Sequence, residues 1–370
     1  MPAPLTAPRR LLLTADAVGG VWTYALDLAR GLVPYGTRVT LAVLGPAPTP
    51  AQRAAAARIP GLALVETGLP LDWVTDDPDD VERAGVALGR LARAHDVDLV
   101  QVNSAPLAAT GDFGAPLVVA CHSCVATWWH TVRGDAPAPD VVRWRTAYAA
   151  AALARADLAI APTHAFAAAT QRTYGLPQAP VVVHNGRSIA LGPLATGALP
   201  RAVFTAGRLW DDAKNVATLD RVAARLAEPV VAAGPLAGPQ GHPVRFERLH
   251  CTGALCADDV ALRLARRPVF VSLARYEPFG LAVLEAAQAG CPLVLADIPT
   301  FRELWDGAAL FVSPDDDTAA AAALQALLAD EGLRRHLGTR ARARARRYTL
   351  AGMVRGTLAA WAARTPEPVA

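Results

Sequence analysis

The sequence predicts an α/β protein of two domains, in which strands of parallel sheets alternate with helices. Short apolar runs ending in turn residues recur along the 370 residues, and most precede a helical pattern. That length exceeds what one ordinary hydrophobic core requires. Residues 188–200 carry no charge and are rich in Gly, Pro and Ala, which is typical of a linker between domains.

The composition bounds the function. Hydrophobic residues make up 53% and charged residues 19%, which fits a folded globular chain and excludes wholesale disorder. A net charge of +3 does not indicate nucleic-acid binding. The apolar run after Arg9 and Arg10 is too short for a signal peptide, and charges interrupt every segment long enough to span a membrane. We therefore expect a cytoplasmic protein.

The cysteines indicate buried thiols. Five cysteines are an odd number in a long chain, which argues against a disulfide framework. The spacing of Cys121 and Cys124 suits a redox or metal site, but a second close pair of ligands is lacking. Reduced, buried thiols are therefore expected.

In the first half of the chain, strands are predicted at residues 10–14, 38–44, 98–103, 116–120, 157–162 and 181–183. An apolar stripe over residues 21–32 predicts the first helix. The acidic segment 76–80 contains a proline and is interpreted as a helix start rather than as a metal-binding cluster. A further helix is predicted over residues 164–174, ending at Gly175.

In the second half, strands are predicted at residues 202–206, 228–233, 269–273, 291–296 and 309–312. The helix after the first of these is expected to run to about residue 227. Residues 313–317 are a strong helix start, and a last helix is predicted over 350–363. The arginine-rich segment 340–347 suggests an acid-binding or membrane-binding patch. Alternate residues on a helix step by about 200°, however, so an ordinary solvated helix is expected.

The most informative stretch runs from residue 267 to 290. An apolar strand leads through a turn into a helix, Leu281 to about Ala289, whose only charge is Glu285. A helix that is apolar on nearly every side belongs in an interior, where an unpaired carboxylate costs several kcal/mol. Glu285 should therefore meet an internal donor or the hydroxyls of a ligand, the alternative being a lone structural Glu. Glu277 follows the same strand at its carboxyl end, where open α/β sheets bind ligands and the helix N-terminus favours an anion.

Lys214 is the only lysine in the chain, every other basic site being Arg. Lysine binds phosphate as a compact point charge, whereas arginine grips it in a bidentate manner. Arg208 and Lys214 could together neutralise a diphosphate. An exposed lysine kept by chance at a helix start is the alternative.

These motifs resemble those of the retaining nucleotide-sugar transferases of glycosyltransferase family 4. Glu277 and Glu285 are separated by seven residues, and Glu277 stands in a Tyr-Glu-Pro-Phe-Gly-Leu context, which is the family's signature. Gly207-Arg208 with Lys214 resembles its phosphate-binding element. The resemblance covers nearly the whole chain and implies the GT-B fold, in which two doubly wound Rossmann-like domains face a cleft.

The resemblance also implies a division of labour. Residues 1–187 would form the acceptor-binding domain, with a helix at 350–364 packing back on it. Residues 200–348 would form the nucleotide-sugar-binding domain. The implied catalytic residues are Glu277, His122, Arg208 and Lys214. The implied donor-binding residues are Gly19, Gly20, Asn185, Gly207, Arg208, Lys214, Glu277, Phe279, Gly280, Leu281 and Glu285.

The resemblance gives each of these groups a role. Glu285 would accept hydrogen bonds from the ribose, and Glu277 would hold hydroxyls of the donor sugar. His122, at a strand's carboxyl end, would lie near the reacting sugar, although a lone His is more often simply hydrogen-bonded in a core. The sequence departs from the family pattern at His184, where Pro is usual, and at Asn215, where Gly usually follows the lysine.

The implied reaction is hexosyl transfer from a nucleotide-diphosphate sugar to an acceptor hydroxyl, with retention of configuration, in polysaccharide or glycoconjugate biosynthesis. Neither a cofactor nor a metal is expected, because basic residues would stabilise the leaving diphosphate. The acceptor could be a glycan, a glycolipid or a small molecule, and peripheral membrane contact is left open. Trp128, Trp129 and Trp144 could stack a sugar, but core packing is the default interpretation.

Three alternatives are weighed. A catalytically silent nucleotide-binding subunit would not need the Glu pair. A nucleotide-sugar epimerase of the same architecture would turn over the donor without an acceptor. A glycan phosphorylase would need a lysine for a pyridoxal cofactor, and Lys214 lies on the wrong loop for it.

Overall fold

The chain divides into two units, Met1–Arg187 with Leu350–Ala370, and Ser188–Thr349. The computed structural model describes residues 7–191, 197, 199–239, 241 and 243–363. Part of the predicted linker (192–196 and 198) and residue 364 of the predicted last helix lie outside these ranges.

The first unit contains a seven-stranded parallel sheet with the order β3-β2-β1-β4-β5-β6-β7. Its strands are β1 (Arg10–Asp16), β2 (Arg38–Leu44), β3 (Leu62–Glu66), β4 (Leu99–Val102), β5 (Leu117–Ala120), β6 (Leu158–Ala161) and β7 (Val181–Val182). Its helices are α1 (Gly20–Leu32), α2 (Pro50–Ala57), α3 (Pro78–Ala94), α4 (Val125–Arg133), α5 (Asp140–Arg155), α6 (His164–Tyr174) and α13 (Leu350–Ala362), the last of these following the second unit in the sequence.

Helix α13 completes the core of the first unit. Leu358 and Trp361 on α13 are 0% and 2% exposed and belong to the same cluster as the residues of β1 and α1. A Cβ atom added to Gly31 of α1 would lie 2.3 Å from Val354, so this glycine lets the two helices approach closely. Gly31 lies inside α1, which ends one residue later at Leu32.

The second unit contains a six-stranded parallel sheet with the order β10-β9-β8-β11-β12-β13. Its strands are β8 (Val203–Ala206), β9 (Val230–Ala233), β10 (His250–Cys251), β11 (Val269–Ser272), β12 (Leu293–Ala296) and β13 (Leu310–Val312). Its helices are α7 (Val216–Ala223), α8 (Ala257–Ala265), α9 (Leu281–Ala289), α10 (Pro299–Trp305), α11 (Asp317–Ala329) and α12 (Glu331–Ala345).

Both sheets reverse their winding direction at the centre. The reversal falls between β1 and β4 in the first unit and between β8 and β11 in the second. In open α/β sheets, ligands bind outside the carboxyl ends of the strands at such a switch point. The loops after these four strands are therefore the structurally favoured places for a site.

The predicted α/β class, with two Rossmann-like units, is confirmed. Two details of the prediction were wrong. Helix α7 ends at Ala223 rather than near residue 227, because the next residues form tight turns and Pro229 restricts the residue before it. Helix α9 is not buried on every side, since Glu285 and Gln288 are partly exposed.

All five cysteines lie in the described ranges, and none forms a disulfide. Burial raises the pKa of the Cys121 and Cys291 thiols. No helix within the described ranges has both the length and the apolar character needed to cross a bilayer.

Candidate active site

The centre of the candidate site is an ion pair at the switch point of the second sheet. Lys214 ends a short 3₁₀ turn after β8, and its Nζ donates a hydrogen bond to Oε2 of Glu277 in the turn after β11. The two loops are tied together because the backbone amides of Arg275 and Tyr276 donate to the Ala213 carbonyl at 2.9 and 3.4 Å. Two residues that are 63 positions apart in the sequence thus meet at one sheet edge.

Arg208 is the second residue after β8 and is positioned by an acidic neighbour. Its Nη2 donates to Asp211 Oδ2 at 2.7 Å, and its guanidinium lies 5.6 Å from the centre of the Trp210 ring. Burial alone would raise the pKa of Asp211. Arg208, Lys214 and the hydrogen bond from the Ala213 amide outweigh it and hold that pKa below its ordinary value. The loop therefore carries two cations around one buried carboxylate.

Asn215 explains the departure from the family pattern after the lysine. It has φ 55° and ψ 36°, the left-handed conformation that glycine adopts without cost and that asparagine tolerates better than most residues. Its Nδ2 donates to the carbonyls of Leu273 and Pro314 at 3.0 and 2.7 Å, and its Oδ1 accepts from Thr218 at 2.8 Å. Asparagine therefore preserves the glycine-like backbone and fastens the loop to two neighbouring segments.

The turn into α9 presents backbone amides beside Glu277. Gly280 is the N-cap residue, with φ 88°, and no side chain caps the helix. Leu281 begins the helix and is partly exposed. Phe279 is 3% exposed and packs edge-on against Tyr348, with ring centres 5.8 Å apart, so only its backbone is available to a ligand.

Glycines also bring the ends of β8 and β9 together. The Gly207 amide donates to the Ala233 carbonyl at 3.0 Å. Gly234 has φ 148°, and a Cβ atom there would lie 1.7 Å from the Gly207 oxygen. A side chain at Gly234 would therefore displace the loop that carries Arg208.

A small cavity of about 30 Å³ lies behind this edge and is lined in part by Gly207, Lys214, Glu277 and Gly280. Its volume suits a water molecule rather than a nucleotide. A donor would therefore lie on the surface formed by the strand ends and not inside this cavity.

In the first unit, His122 follows β5 and belongs to a buried polar network. Its Nε2 lies 3.0 Å from Oδ1 of Asn103, and its ring lies 4.2 Å from that of Tyr24. Asn103 Nδ2 donates to the Thr14 carbonyl at 2.6 Å, which leaves the Asn103 oxygen facing the imidazole as an acceptor. His122 therefore donates through Nε2. Burial lowers the pKa of His122 to about 4, so the ring is neutral at pH 7.

The same network reaches α13. Gln101 Nε2 donates to Tyr24 at 3.1 Å and to Asn103 at 3.2 Å, and its Oε1 accepts from Trp361 Nε1 at 3.3 Å. Burial raises the pKa of Tyr24 to about 12. The orientation of His122 thus depends on a chain of buried side chains that begins on α13.

The glycine loop after β1 is held by its own carboxylate. Asp16 Oδ1 accepts from the amides of Val18 and Gly19 at 2.8 and 3.1 Å. Gly19 is in extended backbone, φ −145°, which any residue can adopt, and Gly20 begins α1 and is exposed. The backbone conformation of Gly19 therefore does not by itself require glycine.

The other residues singled out from the sequence have mixed surroundings. Asn185 is 6% exposed, and the His184 ring lies 5.9 Å from that of His164. Trp128 and Trp144 are only partly buried, so the default interpretation of a core position does not fit them. Each of these two indoles instead lies 5.2 Å from an arginine guanidinium.

Comparison with known proteins identifies the family. The family model "Glycosyltransferase Family 4" matches residues 18–190, and the model "Glycosyl transferases group 1" matches residues 247–344. The chain belongs to glycosyltransferase family 4. The sequence-based recognition of this family, and of a glycosyltransferase enzyme, is confirmed. A search of curated proteins found no match.

The solved structures that resemble this glycosyltransferase share the GT-B fold. Sucrose-phosphate synthase from Thermosynechococcus elongatus has a TM-score of 0.77 at 18% identity, over 96% of this chain and 98% of that one. Anabaena HepE, solved in complex with UDP-glucose, has a TM-score of 0.73 at 18% identity, over 96% of this chain and 100% of that one. WaaG, a glycosyltransferase involved in lipopolysaccharide biosynthesis, has a TM-score of 0.70 at 15% identity, over 94% of this chain and 98% of that one.

Sequence reasoning missed several polar residues of this glycosyltransferase. Gln101 lies on the otherwise apolar β4 and Asn103 directly follows that strand. A period of two places both on one face, and that signal could have found them. Asp72 gives no such signal. It is 4% exposed, accepts from Ser104 at 2.7 Å, and burial raises its pKa to about 6.

Proposed function

We propose that the chain transfers a hexosyl group from a nucleoside-diphosphate sugar to an acceptor hydroxyl, with retention of anomeric configuration. The observation that carries this proposal is the ion pair between Lys214 and Glu277 at the switch point of the second sheet. Both side chains are about one-fifth exposed, at 21% and 19%, so a ligand can reach them from solvent. The acceptor is a hydroxyl of a glycan, a glycolipid or a small molecule.

Charge is the main argument for a diphosphate. Lys214 and Arg208 lie on one loop, and the uncapped N-terminus of α9 begins next to Glu277. Cations and free helix amides both stabilise negative charge that develops on a leaving diphosphate. Because these groups can do that work, we propose that the reaction requires neither a metal nor a cofactor.

The carboxylates suit the hydroxyls of the donor. Glu277 is fixed through its backbone, since Thr300 Oγ1 donates to the Glu277 carbonyl at 2.7 Å. A carboxylate accepts hydrogen bonds from sugar hydroxyls, and the lysine beside it can contact both the sugar and the phosphate. Glu285, partly exposed on α9, is proposed to accept from the ribose. In the first unit, neutral His122 is proposed to accept a hydrogen bond from a hexose hydroxyl through Nδ1, because its Nε2 donates to Asn103.

Uridine diphosphate is the first nucleotide to test, because HepE was solved with UDP and with UDP-glucose. We also keep the cytoplasm as the proposed location, because none of the five cysteines forms a disulfide.

The binding test measures the melting temperature with UDP, GDP, ADP or dTDP in excess chelator. A nucleotide that binds the native state raises the melting temperature by mass action. We expect one nucleotide to act without metal, and the shift to be lost in Lys214→Ala. The matched control is Arg225→Ala, which removes an exposed cation elsewhere on the second unit. Stabilisation that requires a divalent ion would contradict the metal-free site.

The reaction test follows donor turnover with and without candidate acceptor sugars, and the anomeric configuration of the product by NMR. Lys214→Ala and Glu277→Gln should each lower kcat by about 10²-fold, as expected for loss of one group that stabilises the transition state. Donor isomerised without acceptor would instead indicate an epimerase. Tight nucleotide binding with no turnover of any donor would indicate a silent subunit.

A further inference from the structure

The second unit contains a basic groove at the edge of the sheet opposite to Lys214 and Glu277. We define the basic groove by its lining residues Arg267, Ala289, Gly290, Gly338, Thr339, Arg342, Ala343 and Arg346, which enclose about 270 Å³. Arg267 precedes β11 and Gly290 precedes β12, so the groove lies at the amino ends of these strands. The proposed donor residues follow the carboxyl ends of β8 and β11, at the other edge.

The arginines of α12 divide into groups with different partners. Arg344 donates to the carbonyls of Leu304 and Asp306 at 3.1 and 2.6 Å, which fastens α12 to the end of α10. Arg342 and Arg346 are four residues apart, so they share one face of the helix. Both are exposed, and neither has an ion pair within the described ranges. Although the arginines of this segment are scattered around the helix axis, Arg342 and Arg346 both line the basic groove.

Arg267 occupies a backbone position that normally favours glycine. It follows the end of α8 with φ 57°, and its amide donates to the Leu264 carbonyl at 2.8 Å. At the equivalent positions after α6 and α9 the chain has Gly175 and Gly290, with φ 61° and 79°. A left-handed arginine costs roughly 1 kcal/mol relative to glycine, which indicates that the side chain at this position has a use.

Part of the C-terminal end of α9 is capped without the arginines of the basic groove. The carbonyls of Ala286 and Ala287, in the last turn of α9, already accept from the amides of Cys291 and Gly290. A Cβ atom on Gly338 would lie 2.2 Å from the Gly290 oxygen, so these two glycines form a close floor without side chains. Three arginines line the groove together with this floor, and the residues that line it include no Asp or Glu.

We propose that the basic groove binds the phosphate group of a phosphorylated ligand, at a site separate from that of the sugar donor. Guanidinium groups bind phosphate oxygens through paired, charge-assisted hydrogen bonds, and three arginines line this groove. The volume accommodates a phosphate ester with part of its carrier. The same chemistry is offered by a soluble phosphate ester and by the headgroup of an anionic phospholipid.

The test uses inorganic pyrophosphate and calorimetric titration of the full chain. A double variant, Arg342→Ala with Arg346→Ala, removes two exposed arginines and should weaken one binding event by at least about tenfold. The same event should persist in Lys214→Ala with Arg208→Ala, which removes the proposed donor cations. If the Arg342/Arg346 double variant keeps this binding event, the inference fails. If the Lys214/Arg208 double variant binds pyrophosphate no differently from the wild type, it is the proposed donor site that fails.

Two controls sharpen the result. Arg340→Ala, on another face of α12 beside Gly307, should leave the titration unchanged. Arg267→Gly relieves the left-handed arginine and should reduce binding while the protein stays folded. Equal pyrophosphate binding by the wild type and by the Arg342/Arg346 double variant would overturn the proposal.

A sedimentation assay separates the two sources of phosphate. Wild-type protein that sediments with phosphatidylcholine vesicles only when they contain phosphatidylglycerol, while the double variant does not, identifies a lipid headgroup. Pyrophosphate binding without such sedimentation identifies a soluble ester.

Discussion

Two titratable groups of the first unit, the partly buried His122 and the buried Asp72, titrate in opposite senses. Burial lowers the pKa of His122 to about 4, so its contribution to stability is present above pH 6.5 and is lost as the pH falls towards 4. Burial raises the pKa of Asp72 to about 6, so its contribution is present below pH 3.8 and is lost as the pH rises through 6. At neutral pH the histidine is in its favoured form and the aspartate is not.

Asp72→Asn should therefore stabilise the protein at pH 8. An elevation of the carboxyl pKa from 3.8 to about 6 corresponds to roughly 3 kcal/mol at most. The asparagine variant should melt at a higher temperature at pH 8, and the difference should vanish near pH 4. Melting curves of both proteins across this range check the prediction. A variant that is less stable at every pH would show that Asp72 acts mainly through its hydrogen bond with Ser104.

The contrast between Lys214 and Asp72 shows what a sequence reveals about single residues. Lys214 was identifiable because it is unique among the basic residues and precedes a helix start. Asp72 was not, because its burial arises from packing of the loop after β3 on the end of β4, which no local pattern records. The contact of Lys214 with Glu277 likewise depends on strand order and not on sequence spacing.

Elements of the second unit meet through Asn215. This residue joins the loop before α7 to the end of β11 and to the segment before α11. Its left-handed conformation and its three hydrogen bonds are separate contributions to stability. Substitutions can test them one at a time.

Asn215→Gly keeps the backbone conformation and loses the side-chain hydrogen bonds, whereas Asn215→Ala loses both. We expect the glycine variant to lose about 1–3 kcal/mol of unfolding free energy for the unpaired buried carbonyls. The alanine variant should lose about 1–2 kcal/mol more, because it must adopt the left-handed region. Chemical denaturation of the three proteins measures both steps. Equal stability of the two variants would show that backbone strain is not important here.

Strands and helix starts were predictable where one pattern dominates. Helix α6 was predicted with the bounds observed, because Thr163 and Gly175 mark its two ends. The end of helix α7 was not predicted correctly. It is set by tight turns before Pro229, and the pattern of apolar residues does not reveal these turns. The sequence analysis also missed that Arg342 and Arg346 share one face of the helix. It considered only the step of about 200° between alternate residues, whereas these two arginines are four residues apart.

Taken as a whole, the molecule consists of two units with separate cores. The proposed donor groups Lys214 and Glu277 both lie in Ser188–Thr349. The core of the other unit depends on α13, where Trp361 is 2% exposed and donates to Gln101. Damage to one core should therefore leave the chemistry of the other unit intact.

Trp361→Ala tests this independence. Loss of a buried tryptophan costs about 3–5 kcal/mol, so the first unit should melt at a lower temperature. Stabilisation of the second unit by nucleotide should persist, and calorimetry with and without nucleotide measures both effects. Arg355→Ala, at an exposed position of α13, is the control and should change neither. If calorimetry shows one melting transition, and both Trp361→Ala and the nucleotide shift it, the two units unfold together.

The place of α13 in the sequence has a consequence during synthesis on the ribosome. Residues 7–187 leave the exit tunnel first, but Leu358 and Trp361 of their core are translated only after the whole of Ser188–Thr349. At about 5–20 residues per second, the nascent first unit waits on the order of ten seconds with an incomplete apolar face. The second unit, made as one continuous segment, can fold in that interval. Chaperone demand should therefore fall on the half of the protein that is translated first and finished last.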